Sequence, residues 1–132
     1  MLPKRSGYCK VRLFLFLLLL SGALRGESAS LSSGIYSEPQ AQRGADLYVA
    51  HCSHCHLPSF YTNVDIAWNG MSVLDFYYKV SGSMPADNPR TLSRSQYLNI
   101  VAWVLAINGY PSGNSPMLLS NKLGMVKFKS YK

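Results

Sequence analysis

Residues 51–56 read His-Cys-Ser-His-Cys-His, two cysteines and three histidines within six positions. Such side chains can hold a zinc ion, cycle a dithiol, or fix a larger group covalently. A structural zinc site needs four Cys or His ligands, commonly as two separated pairs. Here every histidine of the chain falls in the one window and no second pair follows. One tetrahedral ion cannot use all five side chains without prohibitive backbone strain. A dithiol catalyst would place C-x-x-C at a helix N-terminus within a strand–helix–strand pattern. This pair instead follows a helical pattern and has no flanking strands. The third reading is haem attachment, C-x-x-C-H, over Cys52, Cys55 and His56. Two thiols add to two vinyl groups, and the adjoining histidine falls under the iron as an axial ligand. Both thiols are then consumed, as an oxidising compartment requires.

Iron held by His56 asks for a sixth ligand. The stretch "SGSMPADNP" supplies Met84 directly before Pro85, 28 positions after His56. Proline fixes φ and favours an extended residue before it, which makes a rigid ligand loop. Met71, beside Gly70, competes but reads as a partly buried gap-filler. Met117 and Met125 lie beyond the last helical pattern and are weaker candidates. Trp68, before Asn69-Gly70, is a candidate to donate its indole N–H to a haem propionate, with a plain core role as the alternative. His51 and His54 read as exposed or edge-packed side chains.

Three helices are expected to position these residues. "LSRSQYLNIVAWVLAINGYP" opens with a capping box, Ser93 with Gln96, and starts a helix at about Arg94. Tyr97, Ile100, Val101, Val104 and Ile107 recur at helical spacing, and Asn108-Gly109 then Pro111 stop it. An earlier helix is expected over 38–50, with Ser37 and Gln40 as a second capping box and Pro39 in the first turn. A glycine inside a helix costs about 1 kcal/mol relative to alanine, so Gly44 implies close approach of another helix. Trp103 and Ala102 suit that contact. A third, shorter helix is expected from Ser72 to about Val80, capped by Ser72 with Asp75. Tyr77 falls on its core side and Tyr78 on its surface. No alternating strand pattern appears, and the long loops need something to pack on.

The ends of the chain differ from its middle. Lys4, Arg5, Lys10 and Arg12 precede eight consecutive apolar residues from Leu13, followed by Ser21-Gly22-Ala23. This is the layout of a secretory signal. Eight helical residues cover only about 12 Å of a ~30 Å hydrocarbon core, too little for a span. The expected organisation is a signal over 1–23 (processing as late as 30), a flexible segment over 24–37, a folded domain over 38–115, and a basic tail over 116–132. Cys9 leaves with the signal, so the product keeps only Cys52 and Cys55. The net charge of +7 shrinks to +3 after cleavage at Ala23, and four of the nine remaining basic residues lie in the last eleven. No basic patch with interleaved aromatics remains to bind nucleic acid, and no stable membrane span is expected once the signal is gone.

In order, "RGADLYVAHCSHCH", "GSMPADNP" and "QYLNIVAWVLAINGYP" resemble the signatures of class I c-type cytochromes, over about residues 40–113. The resemblance implies an all-α fold, three main helices and loops wrapped around one covalently attached haem c. Its first and last helices would cross near Gly44, Tyr48 and Trp103. It implies Cys52 and Cys55 as thioether anchors, with His56 and Met84 as axial iron ligands. The longer pattern from "AWNGMSVLDFYYKV" onward is similar to cytochrome domains and subunits serving quinoprotein (pyrroloquinoline-quinone) alcohol dehydrogenases. It departs at Arg90, where a glycine is common after proline, and at 57–66, which lacks a Gly-rich run. The expected role is a periplasmic electron carrier without catalytic groups of its own. A quinoprotein dehydrogenase would be the donor, or the complex to which it belongs, with an oxidase or another cytochrome as acceptor. The alternatives are a haem protein with an open sixth site, acting as sensor or catalyst, and a structural or assembly subunit. In the last case the apolar residues of the tail would contact a partner.

Overall fold

The structure, a computed structural model, describes residues 30–129; the expected signal lies outside the described residues. Among the described residues four α-helices follow in order: α1 (Glu38–His51), α2 (Val64–Ala67), α3 (Val73–Ser83) and α4 (Arg94–Ile107). Single 3-10 turns form at Leu31–Ser33, Pro58–Tyr61 and Asn121–Gly124. Among the described residues there is no strand, only isolated bridges between Ser37 and Gly113 and between Ser72 and Lys127. The all-α expectation holds.

The crossing of α1 and α4 is the principal helix contact, and it is made at Gly44. A Cβ at Gly44 would lie 1.9 Å from the Asn99 carbonyl oxygen and 2.8 Å from the Trp103 Cβ. Only glycine lets the two backbones meet this closely. One turn on, Tyr48 stacks on Trp103 with ring centroids 4.0 Å apart and planes at 24°. Ala102 is fully buried alongside.

The ends of α3 and α4 follow their capping residues. In α4 the Ser93 hydroxyl accepts from the Gln96 N–H at 3.3 Å, while the Ser93 N–H donates to Gln96 Oε1 at 2.8 Å. In α3 Ser72 and Asp75 make the same reciprocal pair at 3.0 and 2.8 Å. That helix runs to Ser83 rather than stopping near Val80, ending where Met84 becomes extended before Pro85. The capping box expected for α1 does not form. Ser37 is the N-cap, but Gln40 turns inward. Its Nε2 donates to the Met117 carbonyl at 3.0 Å, and its Oε1 accepts from the Met117 N–H at 2.7 Å. Buried polar groups have to be paired, and this match serves four of them at once, where the cap would bond the single N–H of Ser37.

Both flanking segments, expected as a flexible lead and a basic tail, are packed where they are described. Leu31 and Tyr36 are buried, and the Tyr36 hydroxyl donates to the Tyr110 carbonyl at 2.6 Å. At the other end, Phe128 and Met71 or Gly70 exchange main-chain hydrogen bonds, and the Val73 N–H donates to Val126, all at 2.9 Å. Val126 and Phe128 are buried while Lys127 and Lys129 are exposed. This alternation is that of an extended segment laid on a core, and each apolar side chain so buried contributes roughly 1.5–3 kcal/mol. The protein's own core is therefore the host of the tail's apolar residues; Leu118 stays exposed. No helix among the described residues is long and apolar enough to cross a membrane.

Candidate cofactor site

The turn after α1 presents the cysteines and His56. Cys52 caps α1, its N–H donating to the Tyr48 carbonyl at 2.8 Å, and the Ser53 N–H reaches the same oxygen at 3.0 Å. The N–H groups of Cys55 and His56 then fold back onto the Cys52 carbonyl at 3.1 and 3.0 Å. The Tyr48 hydroxyl closes the turn by donating to the His56 carbonyl. Cys52 is half-buried and Cys55 is exposed. The His56 ring packs against Phe60 and Tyr61, with centroids 4.7 and 5.8 Å away.

Met84 arrives from a different segment. It is the C-cap of α3, in an extended conformation (φ −123°, ψ 151°). Its N–H donates to the Val80 carbonyl at 2.9 Å, and its carbonyl accepts from the Tyr97 hydroxyl at 2.7 Å.

These segments enclose a cleft of two chambers. The larger, about 780 Å³, is bordered by Cys52, Cys55, His56 and Met84, with His51 and His54 at its edge. The smaller, about 310 Å³, adds Trp68, Phe76 and Lys79. His56, Tyr61, Val80 and Met84 border both. Each volume falls in the range of small-molecule and cofactor pockets. All five candidate residues thus lie on one cleft; Met71 is exposed and borders neither chamber.

The surroundings of the thiols fit covalent attachment better than redox cycling. Burial pushes the Cys52 thiol up. It also caps the C-terminal, negative end of α1, whereas reactive dithiols are activated at the opposite end of a helix. Burial likewise raises the Tyr48 hydroxyl, and pushes Tyr61 up to about 12, with smaller contributions from Cys52 and Tyr48. The shifts at Cys52 and Tyr61, which border the cleft, go with a desolvated wall there. Two thiols one turn apart, a histidine next to the second, and a methionine on the same apolar cleft are a donor set that fits haem.

Several lining residues were not among the expected site residues. Phe76 and Val80 continue the stripe that ends at Met84, at i, i+4 and i+8 on the small chamber, a spacing that the sequence does display. Phe60 and Tyr61 carry no such signal, because a 3-10 turn and α2 place them. That region is held by Asn108, which accepts from the Val64 N–H at 3.1 Å and donates to the Tyr61 carbonyl at 2.7 Å.

Neither the curated proteins nor the solved structures contain a match to this chain. A family model described as cytochrome c oxidase, cbb3-type, subunit III matches residues 39–104, half of the 132-residue chain. The match spans α1, the turn from Cys52 to His56, Met84 and most of α4, the elements that build the cleft. By that match the chain belongs to this family of c-type cytochrome domains, which bind covalently attached haem c.

Proposed function

We propose that the protein is an exported carrier of single electrons, loaded with one haem c through thioether bonds to Cys52 and Cys55. His56 and Met84 are its axial ligands, and Trp68 donates its indole N–H to a propionate. The observation that carries the reading is that His56 and Met84, from separate segments, border both chambers of the same cleft. When bound, the haem supplies reversible one-electron chemistry, and methionine opposite histidine raises its potential. The protein's part is to hold both ligands, keep the surroundings apolar and leave no open position for a substrate. Tyr61, Val80 and Phe76 supply the apolar wall. The C-x-x-C-H motif and the eight-residue apolar run near the N-terminus support a periplasmic location. The similarity of 67–113 to cytochromes of quinoprotein alcohol dehydrogenases supports such an enzyme as donor, with an oxidase or another cytochrome as acceptor.

Mass spectrometry of the exported protein tests the attachment: a haem-sized covalent increment is expected, lost when Cys52 and Cys55 are both replaced by Ala. The oxidised protein should show the near-infrared methionine–iron band, abolished in Met84→Ala. Strong carbon monoxide binding by the untreated reduced protein would overturn six-coordination and favour a sensor or catalyst.

A further inference from the structure

We propose that Tyr97 is a positioning residue for the iron, acting through the main chain of Met84. The inference rests on Met84 being the axial ligand. Tyr97 lies in the first turn and a half of α4 and is 3 % exposed. It does not border either chamber of the cleft, so it acts on the haem only through another residue. Its hydroxyl donates to the Met84 carbonyl at 2.7 Å, and the Met84 N–H donates to Val80 at 2.9 Å. Both main-chain polar groups of Met84 are therefore fixed, one by α3 and the other by α4.

A matching arrangement holds His56. Its N–H donates to Cys52 at 3.0 Å and its carbonyl accepts from the Tyr48 hydroxyl. The two ligand segments are thus clamped by one tyrosine from each of the two crossing helices. They differ in what else holds them. His56 adjoins Cys55, which anchors it covalently once haem is attached. Met84 has no such neighbour, and its side chain is long, flexible and neutral. A methionine with a loose backbone would lose more freedom on binding iron, and fixing the backbone beforehand removes part of that cost. The clamp therefore matters most on the methionine side.

The test uses the oxidised, haem-loaded full-length protein titrated with imidazole, which competes with Met84 for the iron, followed by the near-infrared methionine–iron band. Tyr97→Phe removes only the hydroxyl. It should raise the apparent imidazole affinity about fivefold, equivalent to about 1 kcal/mol, the contribution of one hydrogen bond. Val126→Ala, which deletes buried volume in the tail segment away from the cleft, should lower thermal stability by at least as much yet leave the imidazole affinity within about twofold. An unchanged affinity in Tyr97→Phe, or an equal rise in Val126→Ala, overturns the positioning role while leaving Met84 as ligand. Absence of the band from the wild-type protein overturns both readings.

Discussion

Alanine at Gly44 and alanine at Gly82 should change stability in opposite directions. Both glycines lie inside helices, Gly44 in α1 and Gly82 in the last turn of α3. In an isolated helix each replacement would contribute up to about 1 kcal/mol, from reduced freedom of the unfolded chain and better helix propensity. At Gly82 nothing lies within 4 Å of the added Cβ, so that gain should be realised. At Gly44 the methyl would sit 1.9 Å from the Asn99 carbonyl oxygen and 2.8 Å from the Trp103 Cβ. An ordinary carbon–oxygen approach is about 3.3 Å, so α1 and α4 must separate by roughly 1.4 Å. Backbone shifts forced by overpacking cost up to about 3 kcal/mol, leaving a net loss of about 2 kcal/mol after the propensity gain. For a domain of this size that corresponds to a fall in Tm of roughly 8–16 °C. Gly82→Ala should raise it by a few degrees. Thermal unfolding of the haem-loaded variants, followed by far-ultraviolet circular dichroism, measures both. A Gly44→Ala protein as stable as Gly82→Ala would refute the claim that the crossing depends on a bare backbone at that position.

Gln40→Ala removes both bonds to the Met117 main chain and should cost about 2–4 kcal/mol by denaturant titration, since two buried main-chain groups lose their partner. Arg90 adopts φ +65°, the left-handed region where glycine is at home, so Arg90→Gly should be more stable than Arg90→Ala by about 1 kcal/mol in the same titration. Asp75 is held below the usual carboxylate range chiefly by the Ser72 hydroxyl, then by the Ser72 N–H. Its contribution is therefore present above the unfolded value of 3.8 and lost as pH falls through the lower folded value. The stability difference between wild type and Asp75→Asn, read from denaturation midpoints across pH, should be largest near neutrality and shrink well below pH 3.8.

What the sequence made visible was local chemistry. Ser93 with Gln96, and Ser72 with Asp75, are three apart and satisfy one another, so α3 and α4 announced their starts. Cys52, Cys55 and His56 belong to one turn, and Gly44 could be read as a contact because glycine in a helix otherwise has no advantage. Long-range partners were not legible. Ser37 and Gln40 carry the same spacing as the other capping boxes, yet Gln40 bonds Met117, 77 residues away. The lysines made residues 116–132 read as a basic tail, because composition averages over the alternation that buries Val126 and Phe128 and exposes Lys127 and Lys129. The four-residue α2 has no period to detect, and Asn108 secures its start from the far end of α4. Arg90 is the instructive departure: its φ of +65° lies in the region that glycine enters freely, and this chain adopts that conformation with an arginine.

The two segments that carry His56 and Met84 are tied to the same helix crossing. Tyr48 closes the attachment turn with its hydroxyl while its ring stacks on Trp103 of α4. Tyr97, six residues before Trp103 on that helix, bonds the main chain of Met84. A change in the distance between α1 and α4 therefore moves the base of His56 relative to the base of Met84. The contact at Gly44 sets that distance, although it borders neither chamber of the cleft. On this geometry a methyl group at Gly44 should weaken methionine ligation as well as lower stability. A methyl group at Gly82, with open space around it, should leave the ligand bond alone.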